Sequence, residues 1–126
     1  MKKTLSLLLV SFIAFNCSAQ LNNTSWKGTL NIEGGMDVVF NFKNDTVDVV
    51  SSESGESLET SRYATTDSVI TFQKLYGGSQ CDTTLGTYKY VITGNQMTIS
   101  LISDSCYDRS SAIGTMKLEK AEQVVQ

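Results

Sequence analysis

The 126-residue chain contains no histidine and few cysteines. Without histidine the chain lacks the commonest general base and the commonest metal ligand, so a Ser-His-Asp triad is excluded and a metal site is disfavoured. Neither a phosphate-binding glycine loop nor a nucleophile elbow is present. Beyond residue 20 there is no low-complexity segment and no long apolar run. The sequence therefore predicts one non-enzymatic domain without a cofactor, a metal or a transmembrane segment.

The first 19 residues have the pattern of a secretory signal peptide. Two lysines precede an apolar run over residues 5–15 that is too short to span a bilayer, and a small-residue cleavage site ends at Ala19. Cleavage there leaves residues 20–126 as an exported domain, periplasmic or secreted. The alternative is a lipoprotein anchored through Cys17.

The charge balance is acidic. Removing the two leader lysines leaves eight basic residues against thirteen acidic ones, so the net charge changes from −3 to −5. A chain of this charge is not attracted to nucleic acid or to an anionic membrane. We therefore expect no nucleic-acid partner, and we expect a monomer.

Apolar residues alternate with polar ones along most of the chain, and this period of two predicts eight β-strands. The fourth strand has the weakest pattern, with either Leu58 or Tyr63 as its inward anchor. A helix is expected only as a turn or two near residues 110–113. The predicted strands cover residues 25–32, 36–42, 46–50, 57–66, 68–75, 86–92, 97–102 and 114–120.

The connections predict how these strands are arranged. Tight turns at 43–45, 65–67 and 93–95 force antiparallel neighbours. In an up-and-down meander these turns share one end, the short-turn end, and the remaining connections share the other, the long-loop end. Eight antiparallel strands with one apolar face can bury that face by closing on themselves. The predicted fold is an all-β, eight-stranded antiparallel up-and-down barrel.

Cys81 and Cys106 fall in two of the long loops, so the meander brings them to the same end. The export pathway permits oxidation, and a disulfide between them would contribute roughly 3 kcal/mol by loop-closure entropy. The alternative is a reactive Cys106. That alternative is weak because the thiol has no histidine partner and because Asp104 and Asp108 would raise its pKa.

Inward-facing aromatic residues are the candidate ligand contacts. An eight-stranded barrel either fills with side chains or holds one small ligand, and short strands leave both outcomes open. Two inward tyrosines would need hydrogen-bond partners for their hydroxyls. Strand parity places these aromatic residues inside: Trp26, Phe40, Phe42, Phe72, Tyr88 and Tyr90.

The last long loop holds Asp104, Asp108 and Arg109 as candidate rim residues. We expect Arg109 to pair with a nearby carboxylate. The acidic residues of the long-loop end either serve solubility or form an acidic mouth that favours cationic or amphipathic ligands. They are Glu53, Glu56, Glu59, Asp82, Asp104 and Asp108.

Two segments resemble a known group. "SWKGTL" is similar to the Gly-x-Trp start of lipocalins, with Thr24 in place of the glycine. "GTYKYVITGNQMTISLISDSCYDRSSAIGTMKLEK" resembles the C-terminal half of small lipocalin-like domains of exported bacterial proteins. In that group a hairpin like the one at residues 90–98 precedes a D-x-C-x-x-R segment. In this chain the corresponding residues are Asp104, Cys106 and Arg109. Lipocalins commonly set a late arginine against the early tryptophan, but our topology places Arg109 at the end opposite Trp26, so that pairing is not expected.

The resemblance implies a calycin-type barrel, often one that binds an apolar small molecule. We therefore expect a non-catalytic protein that binds a small apolar or amphipathic ligand from the long-loop end. The alternative is a protein-interaction or inhibitor module with a filled barrel and the loops as its contact surface.

Overall fold

The computed structural model describes residues 20–122. The predicted leader, including Cys17, and residues 123–126 lie outside the described residues. The described part contains eight strands and one short helix. These are β1 (Thr24–Leu30), β2 (Met36–Phe42), β3 (Thr46–Ser51), β4 (Ser57–Thr66), β5 (Val69–Gly77), β6 (Gly86–Thr93), β7 (Gln96–Ser103), α1 (Tyr107–Ile113) and β8 (Thr115–Ala121).

The eight strands form a closed barrel in which every neighbour in sequence is also a neighbour in the sheet. All pairings are antiparallel, and β1 closes the barrel by pairing Ser25 with Ala121 and Lys27 with Glu119 of β8. Closure removes the free edges that an open sheet would expose. The predicted all-β up-and-down barrel is confirmed.

The short-turn end is tight because its turns use residues that tolerate a left-handed backbone. Gly94 has a φ of 61° in the turn between β6 and β7, and Asp67 has a φ of 53° in the turn between β4 and β5. Glycine and aspartate adopt this conformation at lower cost than most residues. The remaining connections, including the one that contains α1, gather at the opposite end.

Large buried side chains lie in the half of the barrel next to the short turns. Trp26 and Phe42 are almost fully buried there, and the Phe42 ring lies edge-on to Tyr63 with the ring centroids 4.9 Å apart. Leu21, just before β1, is also fully buried and belongs to the same core. Large buried side chains therefore occupy this half of the interior.

A β-bulge in β4 explains why the sequence pattern of that strand was ambiguous. In the pairing of β4 with β3, the register shifts between Val49 and Val50 and leaves Leu58 of β4 as an extra residue, which reverses the alternation. Leu58 packs against the core, and Tyr63 beyond the bulge is buried. Both residues therefore face inward, although strict alternation allows only one of them.

Helix α1 begins earlier than the sequence predicted, at Tyr107. Its buried residues are Arg109, Ala112 and Ile113, which share one face at the spacing of a helix. The sequence pattern of this face is weak because two serines lie between Arg109 and Ala112. Arg109 weakens it further because arginine is charged, although here it faces the barrel.

Candidate functional site

A cavity of about 480 Å³ occupies the half of the barrel next to the long loops. Its walls come from the inward faces of β1 to β5, from the loops after β1 and β5, and from α1. Most of the lining is apolar, with a smaller polar group. The lining residues are Leu30, Asn31, Ile32, Met36, Phe40, Val47, Val49, Leu58, Glu59, Ser61, Phe72, Gly78, Ser79, Asp108, Arg109, Ser111, Ala112 and Ile113.

Helix α1 is held at the mouth of the barrel by contacts on two sides. On one side Cys106, which precedes the helix, forms a disulfide with Cys81, and their Cα atoms are 5.4 Å apart. The backbone N–H of Gln80 also donates to the Asp108 carboxylate at 2.7 Å. On the other side the N–H of Asn31 donates to the carbonyl oxygen of Ala112 at 2.8 Å. The predicted disulfide is confirmed, and with it the sulfur of Cys106 is paired.

Arg109 and Asp104 form a buried ion pair beside the cavity. Arg109 Nε donates to Asp104 Oδ2 at 2.6 Å, and Nη2 donates to Oδ1 at 2.9 Å. The two side chains are 4% and 0% exposed. Tyr88 also donates its hydroxyl to Asp104 Oδ2 at 2.5 Å, and Arg109 Nη2 donates to the carbonyl oxygen of Thr84 at 2.8 Å. The pair thus ties α1 to β6 and to the loop before it.

The hydrogen bonds set the charge states of this network. Burial acts to raise the pKa of Asp104, but bonds from Arg109, Tyr88 and the Cys106 N–H outweigh burial and lower that pKa overall. Burial raises the pKa of Tyr88, and the adjacent Asp104 carboxylate raises it further. Burial acts to lower the pKa of Arg109, but its bonds to Asp104 leave it raised. At neutral pH the site therefore holds one carboxylate, one guanidinium and a neutral phenol.

A second polar group lies in the wall formed by β4 and the loop after β5. Ser79 donates its hydroxyl to Glu59 Oε1, and Lys74 Nζ lies 3.9 Å from the same oxygen. Lys74 also donates to the carbonyl oxygen of Ser79 at 2.5 Å. Glu59 is therefore held in place against the cavity, with its charge partly balanced by the lysine.

The aromatic residues predicted to contact a ligand divide between the two halves of the barrel. Phe40 and Phe72 line the cavity. Trp26, Phe42, Tyr88 and Tyr90 are buried but do not line it. The Tyr88 hydroxyl has its partner in Asp104, outside the cavity lining.

The three candidate rim residues occupy two environments. Asp108 is exposed and borders the cavity. The side chains of Asp104 and Arg109 are buried and form an ion pair, so they are not exposed rim residues. The reason is that α1 packs against the barrel and carries Arg109 inward, where Asp104 compensates its charge. Arg109 is remote from Trp26, whose indole N–H donates to Thr24 at 2.9 Å.

Several cavity residues were absent from the sequence-based set. Alternation along the first and third predicted strands is a sequence signal that puts Leu30, Ile32 and Val49 on the inward face. The residues of α1 had only a weak signal, the spacing of Arg109, Ala112 and Ile113. Asn31 and Ser79 lie in loops and had no signal in the sequence.

No known family model matches the chain, and no curated protein or solved structure matches it significantly. The eight-stranded closed barrel is compatible with a lipocalin-like fold. Over residues 20–122, no helix has the length and apolar character needed to cross a membrane. The same residues contain no cluster of three or more side chains suited to holding a metal ion.

Proposed function

We propose that this chain is an exported, lipocalin-like, non-catalytic protein that binds one small apolar or amphipathic molecule in the barrel, entering from the long-loop end. The observation that carries the proposal is the apolar cavity of about 480 Å³ at that end. Its volume falls within the range of small-molecule sites, roughly 300–1,000 Å³. The disulfide between Cys81 and Cys106 supports an oxidising compartment.

The contrast between the two halves of the barrel supports a ligand rather than imperfect packing. Protein interiors normally pack with few voids larger than a water molecule. The short-turn half meets that standard through Leu21, Trp26 and Phe42. The other half keeps a large apolar space even though α1 covers part of its mouth. Burying an apolar molecule there removes its surface and that of the walls from water.

The polar part of the wall favours an amphipathic molecule over a pure hydrocarbon. Glu59, Ser79, Asp108 and Arg109 border the cavity near its mouth, whereas Phe40 and Val47 lie deeper in the barrel. A molecule that inserts its apolar part first would leave its polar group among these side chains. Small-molecule sites commonly combine an apolar lining with a few placed polar groups in this way.

Phenylalanine substitutions at two alanine positions, one in the cavity wall and one outside it, test the proposal. Ala112 lines the cavity, whereas Ala64 is exposed on β4. Ala112→Phe should fill part of the cavity and weaken binding of a neutral apolar dye such as Nile red at least tenfold, because the added ring occupies the ligand's space. Ala64→Phe should leave dye binding unchanged. Equal binding by both variants, with thermal unfolding showing both folded, would contradict the proposal.

Native mass spectrometry of the protein purified from its own host gives an independent measurement. We expect an adduct of one small molecule on the mature chain, and we expect that adduct to be lost in Ala112→Phe. A mass lower by about 2 Da than that of the fully reduced chain would report the disulfide.

A second candidate, a protein-interaction module, is favoured by exposed apolar side chains near the long-loop end. Tyr76 is 65% exposed, Ile102 55% and Tyr107 80%. Large exposed apolar side chains mark contact surfaces where they form a patch. To test this candidate, a photoreactive residue is placed at position 107 and, as a control, at position 64. Capture of one defined host protein from position 107 alone, by a protein that binds no dye, would favour it. This candidate assumed a barrel filled with side chains, and the cavity argues against that assumption.

A further inference from the structure

Glu59 places a carboxylate in the wall of the apolar cavity. Its side chain is 19% exposed and lines the cavity. Within residues 20–122, Oε1 accepts from the Ser79 hydroxyl, whereas Oε2 accepts no hydrogen bond. The only buried side-chain polar atoms without a partner in this part of the chain are Thr65 Oγ1 and Arg109 Nη1, so Glu59 Oε2 is accessible. A molecule in the cavity can therefore bond to this carboxylate without any rearrangement of the wall.

The fold fixes the position of the Glu59 side chain. Glu59 pairs with Gly77 across β4 and β5, and a Cβ built on Gly77 would lie 2.6 Å from Glu59 Cα and 2.8 Å from its Cβ. Only glycine leaves room for Glu59 there, and the Ser79 hydroxyl then holds Oε1. A carboxylate held in this way loses little conformational freedom when a ligand binds it, which favours affinity.

The carboxylate of Glu59 has no charged hydrogen-bond donor among residues 20–122. Lys74 Nζ lies 3.9 Å from Glu59 Oε1, beyond hydrogen-bond length, and donates instead to the carbonyl oxygen of Ser79 at 2.5 Å. Arg109 also lines the cavity, but Asp104 balances its charge through two hydrogen bonds. Hydrogen bonds to a carboxylate are strongest when the donor is charged, and a ligand can supply such a donor here.

A second carboxylate, that of Asp108, borders the same cavity. The backbone N–H of Gln80 donates to Asp108 Oδ2 at 2.7 Å, and the preceding residue, Ser79, donates to Glu59. Adjacent residues of one loop thus hold both carboxylates, which places them in the same part of the wall. Together they attract a cation to the cavity and repel an anion from it.

We propose that the molecule bound in this cavity is apolar and carries one protonated primary or secondary amino group, whose N–H donates to the Glu59 carboxylate. An alkylamine is protonated at neutral pH, as the lysine side chain is. Its N–H groups supply the charged donor that Glu59 lacks, and its apolar part lies deeper in the barrel, against Phe40 and Val47. The inference rests on the function proposed above and deepens it by naming the ligand class.

Four probes with one octyl chain test the ligand class by calorimetric titration of the wild-type protein. They are octylammonium, octyltrimethylammonium, 1-octanol and octanoate. Octylammonium combines a positive charge with N–H donors, whereas octyltrimethylammonium has only the charge and octanol only an uncharged donor. We expect octylammonium to bind about tenfold more tightly than either of these, because it alone forms a charge-assisted hydrogen bond. We expect octanoate to bind most weakly.

Glu59→Gln tests the role of this carboxylate. Glutamine keeps the shape of the side chain and an oxygen that can accept from Ser79, but it removes the charge. The affinity for octylammonium should fall about tenfold, while octanol binding stays nearly unchanged. Glu56→Gln is the matched control, because Glu56 is exposed in the loop after β3, at the same end of the barrel, and does not line the cavity. It removes the same charge and should leave the affinity for octylammonium nearly unchanged.

The outcomes separate the two proposals. Binding of any other probe as tight as that of octylammonium overturns the inference, and so does equal affinity of Glu59→Gln and Glu56→Gln for octylammonium. Those results leave ligand binding itself standing. No measurable binding of any probe overturns the proposed function and the inference with it. Because the wild-type series decides the ligand class, the test holds even where Glu59→Gln fails to fold.

Discussion

The Asp104 carboxylate and the Arg109 guanidinium face each other in a two-point hydrogen-bonded pair, with Nε to Oδ2 at 2.6 Å and Nη2 to Oδ1 at 2.9 Å. The pair is buried and connects α1 to the strand and loop beneath it. It therefore links the stability of the fold to the shape of the cavity mouth. Four predictions concern this pair and its neighbours, and a fifth concerns Tyr63 near the short-turn end of the barrel.

Asp104→Asn should strongly destabilise the protein at neutral pH. Removing one partner of a buried ion pair leaves the other charge uncompensated, which costs about 3–5 kcal/mol. Urea unfolding should give a loss of that order. Asp67→Asn, at an exposed turn residue, is the control and should change the unfolding free energy little.

The same pair should make the stability sensitive to acid. The folded pKa of Asp104 is lowered below its unfolded value of about 3.9, so its contribution is fully present above that value and is lost as the pH falls through the folded pKa. The difference between wild type and Asp104→Asn should therefore shrink as unfolding is measured below about pH 4. A difference that stays constant down to the lowest pH would contradict the assignment.

Gly86→Ala should destabilise the protein, because Gly86 lies directly against the ion pair. A Cβ built on Gly86 would lie 2.7 Å from Arg109 Nε and would also overlap the Asp104 carboxylate. Overpacking of this kind typically costs about 1–3 kcal/mol. Gly78→Ala is the matched control, since a Cβ there meets nothing within 4 Å. Equal melting temperatures for the two variants would show that the pair can move aside.

Removing the disulfide should loosen α1 more than the barrel. The double variant Cys81→Ser, Cys106→Ser should lose roughly 3 kcal/mol of unfolding free energy. Hydrogen exchange should accelerate most at the amides of Ser110 and Gly114, which bond within and at the end of the helix. Central amides of β7 serve as the internal reference. Reducing agent should reproduce the effect in wild type and have no effect in the double variant.

Tyr63 should make the stability sensitive to base. Burial, with a smaller contribution from Asp45, raises the pKa of Tyr63 to about 12. Its hydroxyl also donates to the carbonyl oxygen of Lys43 at 2.5 Å. The folded state favours the neutral phenol, so this contribution is present below about pH 10 and is lost as the pH rises through the folded pKa.

Comparing Tyr63→Phe with wild type in urea tests this point. The stability difference should narrow between about pH 10 and the folded pKa. Tyr107→Phe, whose side chain is 80% exposed, is the control and should follow the wild-type curve. A Tyr63→Phe curve parallel to wild type throughout would rule out Tyr63 as the titrating group.

The sequence by itself determined the strands, their order and the disulfide. Alternation of period two, as in Val38, Phe40 and Phe42, depends only on which face of a strand meets the core, and it is visible locally. Short turns then leave an antiparallel meander as the simplest arrangement, and that arrangement brings Cys81 to Cys106. The strands, their order and the disulfide can therefore be predicted without knowledge of any side-chain contact.

The tertiary structure alone decided how much of the barrel interior is filled by side chains. Whether the interior is filled depends on how residues distant in sequence share space, and alternation carries no information about that volume. The bulge at Leu58, the position of α1 at the mouth and the burial of Arg109 against Asp104 all arise from contacts between separate elements. A charged loop residue became a buried wall residue because its partner and the packed helix compensate for the loss of water.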